Sequence, residues 1–270
     1  DLMNSLIGLL GNTQMDWLTE PMEHAFMRQA LVASLLVGAT CSLLGVYVVL
    51  RRMAFLGEAI AHTTMPGLVI SYLNQWNLLV GAIFSALLAA LGIGWLSRQR
   101  LREDTAIGVV FTGMFALGVV LISRTRSYRD FSHLLFGNVL GVTNSDLIGI
   151  VVVFGTVVGI LTLIGKELML TTVDPLHAKT IGVSEERVRY ILLILMALAV
   201  VTGIQSVGVI LTTALMVTPA ATATMLTHRL KWMFIWSVVI ACLSSIIGLY
   251  ASYYWSVSSG GAIVLACSGF

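Results

Sequence analysis

Glu58 and His62 stand four residues apart in the apolar stretch Arg51-Arg52-Met53-Ala54-Phe55-Leu56-Gly57-Glu58-Ala59-Ile60-Ala61-His62. Four residues is about one helical turn, so a helix here puts both side chains on one face, about 6 Å apart along its axis. If that helix crosses a bilayer over residues 53–73, His62 falls near the midplane and Glu58 nearer one surface, both far from bulk water. An ionisable group at such depth is costly unless it faces protein or a wet pathway, which makes it a functional candidate. A carboxylate oxygen is hard and an imidazole nitrogen borderline, a combination that suits Mn²⁺, Fe²⁺ or Zn²⁺ better than alkali or alkaline-earth ions. Two donors hold a cation weakly. Two copies of the chain facing each other across a symmetry axis would present four, and weak holding favours release. The plainer alternative is a structural pair, bonded to each other or to a neighbouring helix.

Other polar residues are weaker candidates. Asp130 and His133 can pair on one turn, but they sit beside Arg124, Arg126 and Arg129, where solvated charge is the ordinary explanation. Gln205, Ser206, Thr212, Thr213 and Thr218 flank Pro219 and could line a path, although hydroxyls in membrane helices usually bond their own backbone. Pro66 and Pro219 each fall inside an apolar segment. Each should free a carbonyl and bend its helix, and an interrupted helix in each half of a transporter points to a site near the midplane. Cys41, Cys242 and Cys267 lie in apolar runs without metal-ligand spacing and read as small hydrophobes, while His228 reads as solvated.

The elements that must carry these side chains follow from composition. The chain has 270 residues, 58% hydrophobic and 10% charged, whereas a soluble domain carries about a quarter charged residues. Runs of about 20 apolar residues recur near 25–50, 54–73, 77–97, 105–123, 146–165, 188–204, 207–227 and 232–254, with a shorter one at 260–270. Hydrocarbon offers backbone amides no partner, so runs this long must be helices. The reading is an all-α polytopic transmembrane bundle of about eight to nine spans. Residues 1–23 form a surface amphipathic segment and 24–270 a single membrane domain. Gly137 with Gly141 and Gly155 with Gly159 have the spacing for close helix packing.

Alternating the spans puts Arg51, Arg52, Arg98, Arg100, Arg102, Lys166, Lys179, Arg187, Arg189, Arg229 and Lys231 on one side, eleven of the fifteen basic residues. That side is cytoplasmic by the positive-inside rule, and the N-terminus faces outward. A net charge of +2 in scattered clusters gives no footprint for nucleic acid. The longest polar insertion on the cytoplasmic side, 174–184, reads as a short helix with Asp174 as N-cap, Pro175 in its first turn and Gly182 ending it. It suits docking on a partner protein, with an inert connector as the alternative.

With these segments in view, the chain resembles the metal-ion permeases of the ABC-3 class, which serve manganese, zinc and sometimes iron importers in bacteria. The resemblance runs over nearly the whole chain. It is carried by Leu50-Arg51-Arg52-Met53 through Gly57-Glu58-Ala59-Ile60-Ala61-His62 with Pro66-Gly67, by Leu135-Phe136-Gly137-Asn138-Val139-Leu140, by Gln205-Ser206-Val207-Gly208 and by Thr218-Pro219-Ala220-Ala221-Thr222-Ala223. It implies a multi-pass protein of the bacterial plasma membrane that pairs with a second copy of itself, binds two cytoplasmic ATPase subunits and is fed by an extracytoplasmic metal-binding protein. It carries the pore ligands onto Glu58 and His62, with no permanently bound cofactor. The carboxylate is more often Asp in this family, so Glu58 is a departure. The segment holding Asp174, Ala178, Ile181 and Gly182 is similar to the family's coupling helix.

Two rival readings remain at this stage. An intramembrane metalloenzyme would need more than one histidine on the helix, as in His-Glu-x-x-His. A permease for a metal chelate such as a siderophore shares the importer architecture but would not depend on Glu58. No Gly-x-x-x-x-Gly-Lys-Ser/Thr loop occurs, so ATP hydrolysis is expected from a separate chain and no enzymatic role from this one.

Overall fold

The computed structural model describes residues 16–99, 101–123 and 141–270, and within them the secondary structure is helical with no strand. Asp130, His133, the motif from Leu135 to Leu140 and most of the N-terminal segment lie outside the described residues. The helices are α1 (Asp16–Glu23), α2 (Ala25–Leu50), α3 (Leu56–Thr63), α4 (Met65–Leu73), α5 (Leu78–Arg98), α6 (Glu103–Ser123), α7 (Asn144–Val173), α8 (Pro175–Thr180), α9 (Glu185–Val207), α10 (Val209–Leu226), α11 (Leu230–Trp255) and α12 (Ser259–Gly269). Among the described residues, α2, α5, α6, α7, α9, α10 and α11 are each long and apolar enough to cross a membrane. The broken pair α3–α4 covers another crossing, and α12, at 11 residues, rises only about 16 Å, short of a full span. The chain is thus the polytopic helical membrane protein expected.

Burial separates centre from rim. Buried residues make up 72% and 67% of the apolar stretches of α2 and α9 but only 22% and 11% of those of α6 and α7, so α2 and α9 form the core and α6 and α7 its edge. Helix α2 packs against α7, α9, α10 and α11, α5 against α4 and α9, and α6 against α3, α4 and α5. Lipid tails are as apolar as leucine, so helices associate through close packing and interhelical hydrogen bonds. At Gly45, where a side chain would collide with the Met216 carbonyl, the backbones of α2 and α10 touch. Ser237 of α11 adds a hydrogen bond to the Ser42 carbonyl of α2 at 3.1 Å. Among the described residues, by contrast, a side chain built at Gly155 or Gly159 would meet nothing within 4 Å. Among the described residues their spacing marks an open edge of α7.

The two prolines behave differently. Pro66 lies in the first turn of α4, just after a break at Thr64. Lacking an N–H, it deprives the His62 carbonyl of its usual helical partner. Ser85 of α5 donates to the Thr63 carbonyl at 2.6 Å, so a neighbouring helix satisfies backbone at the break. Pro219 lies inside α10, which continues through it. The chain turns sharply earlier instead, at Gly208 with φ +92°, a conformation only glycine adopts freely.

Candidate functional site

Helix α3 begins after a tight turn. Arg52 N–H donates to Val49 O at 3.0 Å and Met53 N–H to Val48 O at 2.9 Å, the paired bonds of a Schellman motif, with Arg52 at φ +59° where glycine is usual. This turn aims α3 back into the bundle. Gly57 lets its inner face approach α10, since a side chain there would stand 2.8 Å from Met216 Sδ. The same helix carries the candidate pair, Glu58 in the first turn and His62 in the last.

Glu58 opens onto a cleft of about 390 Å³ between α3 and α6, walled by Phe55, Ala59, Asp104, Ile107, Gly108 and Phe111 besides itself. Both helices start at the arginine-rich side, and each brings a carboxylate in its first turn, Glu58 on α3 and Asp104 on α6. Helix N-termini favour negative charge at this place. His62 stands behind the cleft wall, its ring 5.8 Å from Phe111 and 5.7 Å from Phe115. Its Nδ1 is buried without a hydrogen-bond partner. Phe111 therefore touches both the cleft and the imidazole. The pair differ in setting: Glu58 is exposed on the cleft while His62 is half-buried.

Chemically, this is an anionic oxygen and an uncommitted imidazole nitrogen beside an apolar wall. Among the described residues no group of three or more His, Cys, Asp or Glu side chains is close enough to hold a metal ion. One copy supplies two donors on α3 with Asp104 across the cleft. Asp104 and the Phe111–Phe115 pair were not singled out from sequence. The available signal was the recurrence of Asp104, Gly108, Phe111 and Phe115 at three- and four-residue spacing on one helical stripe.

Of the other candidates, Gln205 is exposed and Pro66 and Pro219 are buried, and none of them lines the Glu58 cleft. Ser206 donates to Thr202 O at 2.9 Å, Thr212 to Gly208 O at 2.7 Å and Thr213 to Val209 O at 3.0 Å, so these hydroxyls are spent on their own helix backbones. Thr218 is partly buried, its carbonyl accepting from Thr222. In the polar segment, Asp174 caps α8 by accepting from His177 N–H at 2.9 Å, and Gly182 follows at φ +83°. Ala178 is fully buried, whereas Leu176 and Ile181 are 78% and 57% exposed, and they share the outward side of this segment with the exposed polar residues His177, Lys179 and Thr180. Cys41 and Cys267 are buried and all three cysteines are free.

The profile of the family described as "ABC 3 transport family" matches residues 23–270. The chain is 40% identical over 248 residues to "Manganese transport system membrane protein MntC" of Listeria monocytogenes, covering 92% of this chain and 89% of that one. It is 40% identical over 256 residues to "Probable iron transport system membrane protein" of Haemophilus influenzae, covering 94% of each. Among solved structures it is similar to "PsaBC from Streptococcus pneumoniae in complex with Fab", with a TM-score of 0.81, 33% identity and coverage of 94% of this chain and 92% of that one.

Proposed function

Since the chain belongs to the ABC 3 transport family, we propose that it is the permease subunit through which a divalent transition metal, manganese in the first place, enters the cytoplasm past Glu58 and His62. The observation that carries this reading is the pairing, on one turn of a broken helix, of a cleft-facing carboxylate with a buried imidazole nitrogen that has no partner. Relatives named for manganese and for iron support a borderline divalent cation. The ion is cargo, so a weak set of donors is an advantage.

The partners follow from what one copy lacks. Two donors per helix call for a second copy to complete the coordination, and the cleft lies at the rim, on α6, whose Val109, Leu117 and Val120 are exposed in the single chain. The energy comes from two separate ATPase chains docking on the exposed side of α8, where Leu176 and Ile181 stand out among polar neighbours, and an extracytoplasmic metal-binding protein delivers the ion. Cells expressing the full transporter are expected to accumulate manganese, measured by mass spectrometry. Glu58→Ala and His62→Ala should each lower accumulation by about 100-fold with unchanged amounts of protein in the membrane. Full accumulation by either variant rejects the site. Dependence on a chelator instead of free Mn²⁺, with no effect of Glu58→Ala, would favour a chelate permease.

A further inference from the structure

Two side chains outside the cleft bind its walls to the polar segment around α8. Arg51 caps the C-terminus of α2 immediately before the Schellman turn into α3. Its Nε donates to Thr172 Oγ1 at 3.1 Å and its Nη2 to Thr171 Oγ1 at 2.9 Å. Both hydroxyls spend their own proton on α7 carbonyls, Thr171 on Glu167 O and Thr172 on Leu168 O, which leaves lone pairs for the guanidinium. Thr171 and Thr172 belong to the last turn of α7, directly before Asp174 and α8. Burial pulls the Arg51 guanidinium below its ordinary value, with Glu103 and Glu185 pulling the other way. An arginine remains charged at neutral pH all the same, so the two bonds are charge-assisted.

The second link follows α8 in the chain and shares a neighbour with the first, since Glu103 acts on Arg51 as well. Arg189, in the second turn of α9, pairs through Nη1 with Glu103 Oε1 at 3.6 Å, the two side chains only 12% and 28% exposed. Glu103 opens α6, the far wall of the cleft, next to Asp104. Between the links every helix end is capped. Asp174 caps α8, Gly182 N–H bonds Lys179 O and Val183 N–H bonds Ala178 O in a second Schellman motif, and Ser184 caps α9. The exposed pairs Arg98–Glu186 and Lys179–Glu185 are of the kind that contributes little.

We propose that Arg51 and Arg189 are the two arms by which the α8 segment grips the cleft, Arg51 holding α3 and Arg189 holding α6, so that a push on α8 moves the two walls relative to each other. Both are positioning residues and touch no ion. The inference rests on the permease reading above, and its test separates the two. The transporter, assembled with its ATPase subunits in proteoliposomes, is assayed for ATP hydrolysed and Mn²⁺ imported. If the wild type shows no ATP-dependent import, the permease reading fails and the grip with it. If the wild type imports, Thr171→Val with Thr172→Val should raise the ATP consumed per ion about tenfold, while Thr171→Ser with Thr172→Ser stays within about twofold of wild type. Glu103→Arg should uncouple in the same way, and adding Arg189→Glu should restore coupling, a rescue that a general folding defect does not give. Tight coupling in the valine pair overturns the proposal. So does equal loss of hydrolysis and import, or failure of both the serine pair and the charge swap to restore.

Discussion

Pro66 and Pro219 occupy similar apolar surroundings in sequence, yet one stands at a break and the other inside an unbroken helix. The difference lies in what the neighbours offer the backbone. At the first, Ser85 supplies a donor to the Thr63 carbonyl, so the chain can open without leaving that group unpaired in a medium that has no water to give. At the second, α10 is pressed against α2 where Gly45 meets the Met216 carbonyl, one turn before the proline, and the contact holds the helix through it. The two regions also differ in chemistry. The opened helix carries an exposed carboxylate and an unpartnered imidazole nitrogen, while the hydroxyls around the Gly208 corner are satisfied by their own helices. A proline therefore makes a site only where a neighbour accepts the freed backbone and donor side chains remain uncommitted.

The largest effect on this comparison should come from Gly45→Leu. The new side chain has to enter space held by α10 backbone, which cannot rotate away as a flexible side chain could. Overpacking of this kind costs about 1–3 kcal/mol and more against main chain. The variant is expected to give little monodisperse protein on size exclusion after detergent extraction. A normal yield would mean that α2 does not hold α10 straight.

A smaller and more local loss is expected for Ser85→Ala. Removing the hydroxyl strips the buried Thr63 carbonyl of its interhelical donor, at a cost of about 1–3 kcal/mol, while the helices around it keep their contacts. Thermal unfolding in detergent should shift downward and metal uptake should fall, because the end of α3 that carries His62 loses its anchor. If stability and uptake are both unchanged, the break does not depend on α5.

Much of the fold was legible in the sequence because each span is a local property: some 20 apolar residues, closed by arginines on one side. Glu58 and His62 were legible for the same reason, a pair within one turn in a run with no other charge. What escaped depends on partners distant in sequence. The break at Thr64 is secured by Ser85, which bonds the Thr63 carbonyl 22 residues before it, and Arg51 reaches hydroxyls 120 and 121 residues away. Asp104 joined the cleft only because α6 packs on α3. Ala178 read as part of a docking surface, but α8 turns it inward and presents Leu176 and Ile181. The hydroxyls of Ser206 and Thr213 could line a path, with backbone bonding as the usual alternative, and the two differ by a side-chain rotation that spacing does not encode.

The smallest effects should fall on that second region. In Pro219→Ala the new N–H can donate to the Leu215 carbonyl in a helix that is already continuous, so the restored bond offsets the added freedom of the unfolded chain. In Thr213→Val the β-branched shape is kept, and only a hydroxyl bonded to Val209 O and Ile210 O is lost. The carbonyls it served already belong to the helix ladder, so little is left unpaired. Both variants are expected to keep manganese uptake within about twofold of wild type, since groups already satisfied by backbone have nothing to offer a passing cation. A tenfold loss in Thr213→Val with the protein still folded would mean that its oxygen turns toward the ion during transport. The path would then run past both regions, and the contrast between an open and a sealed proline helix would not describe how this protein selects its route.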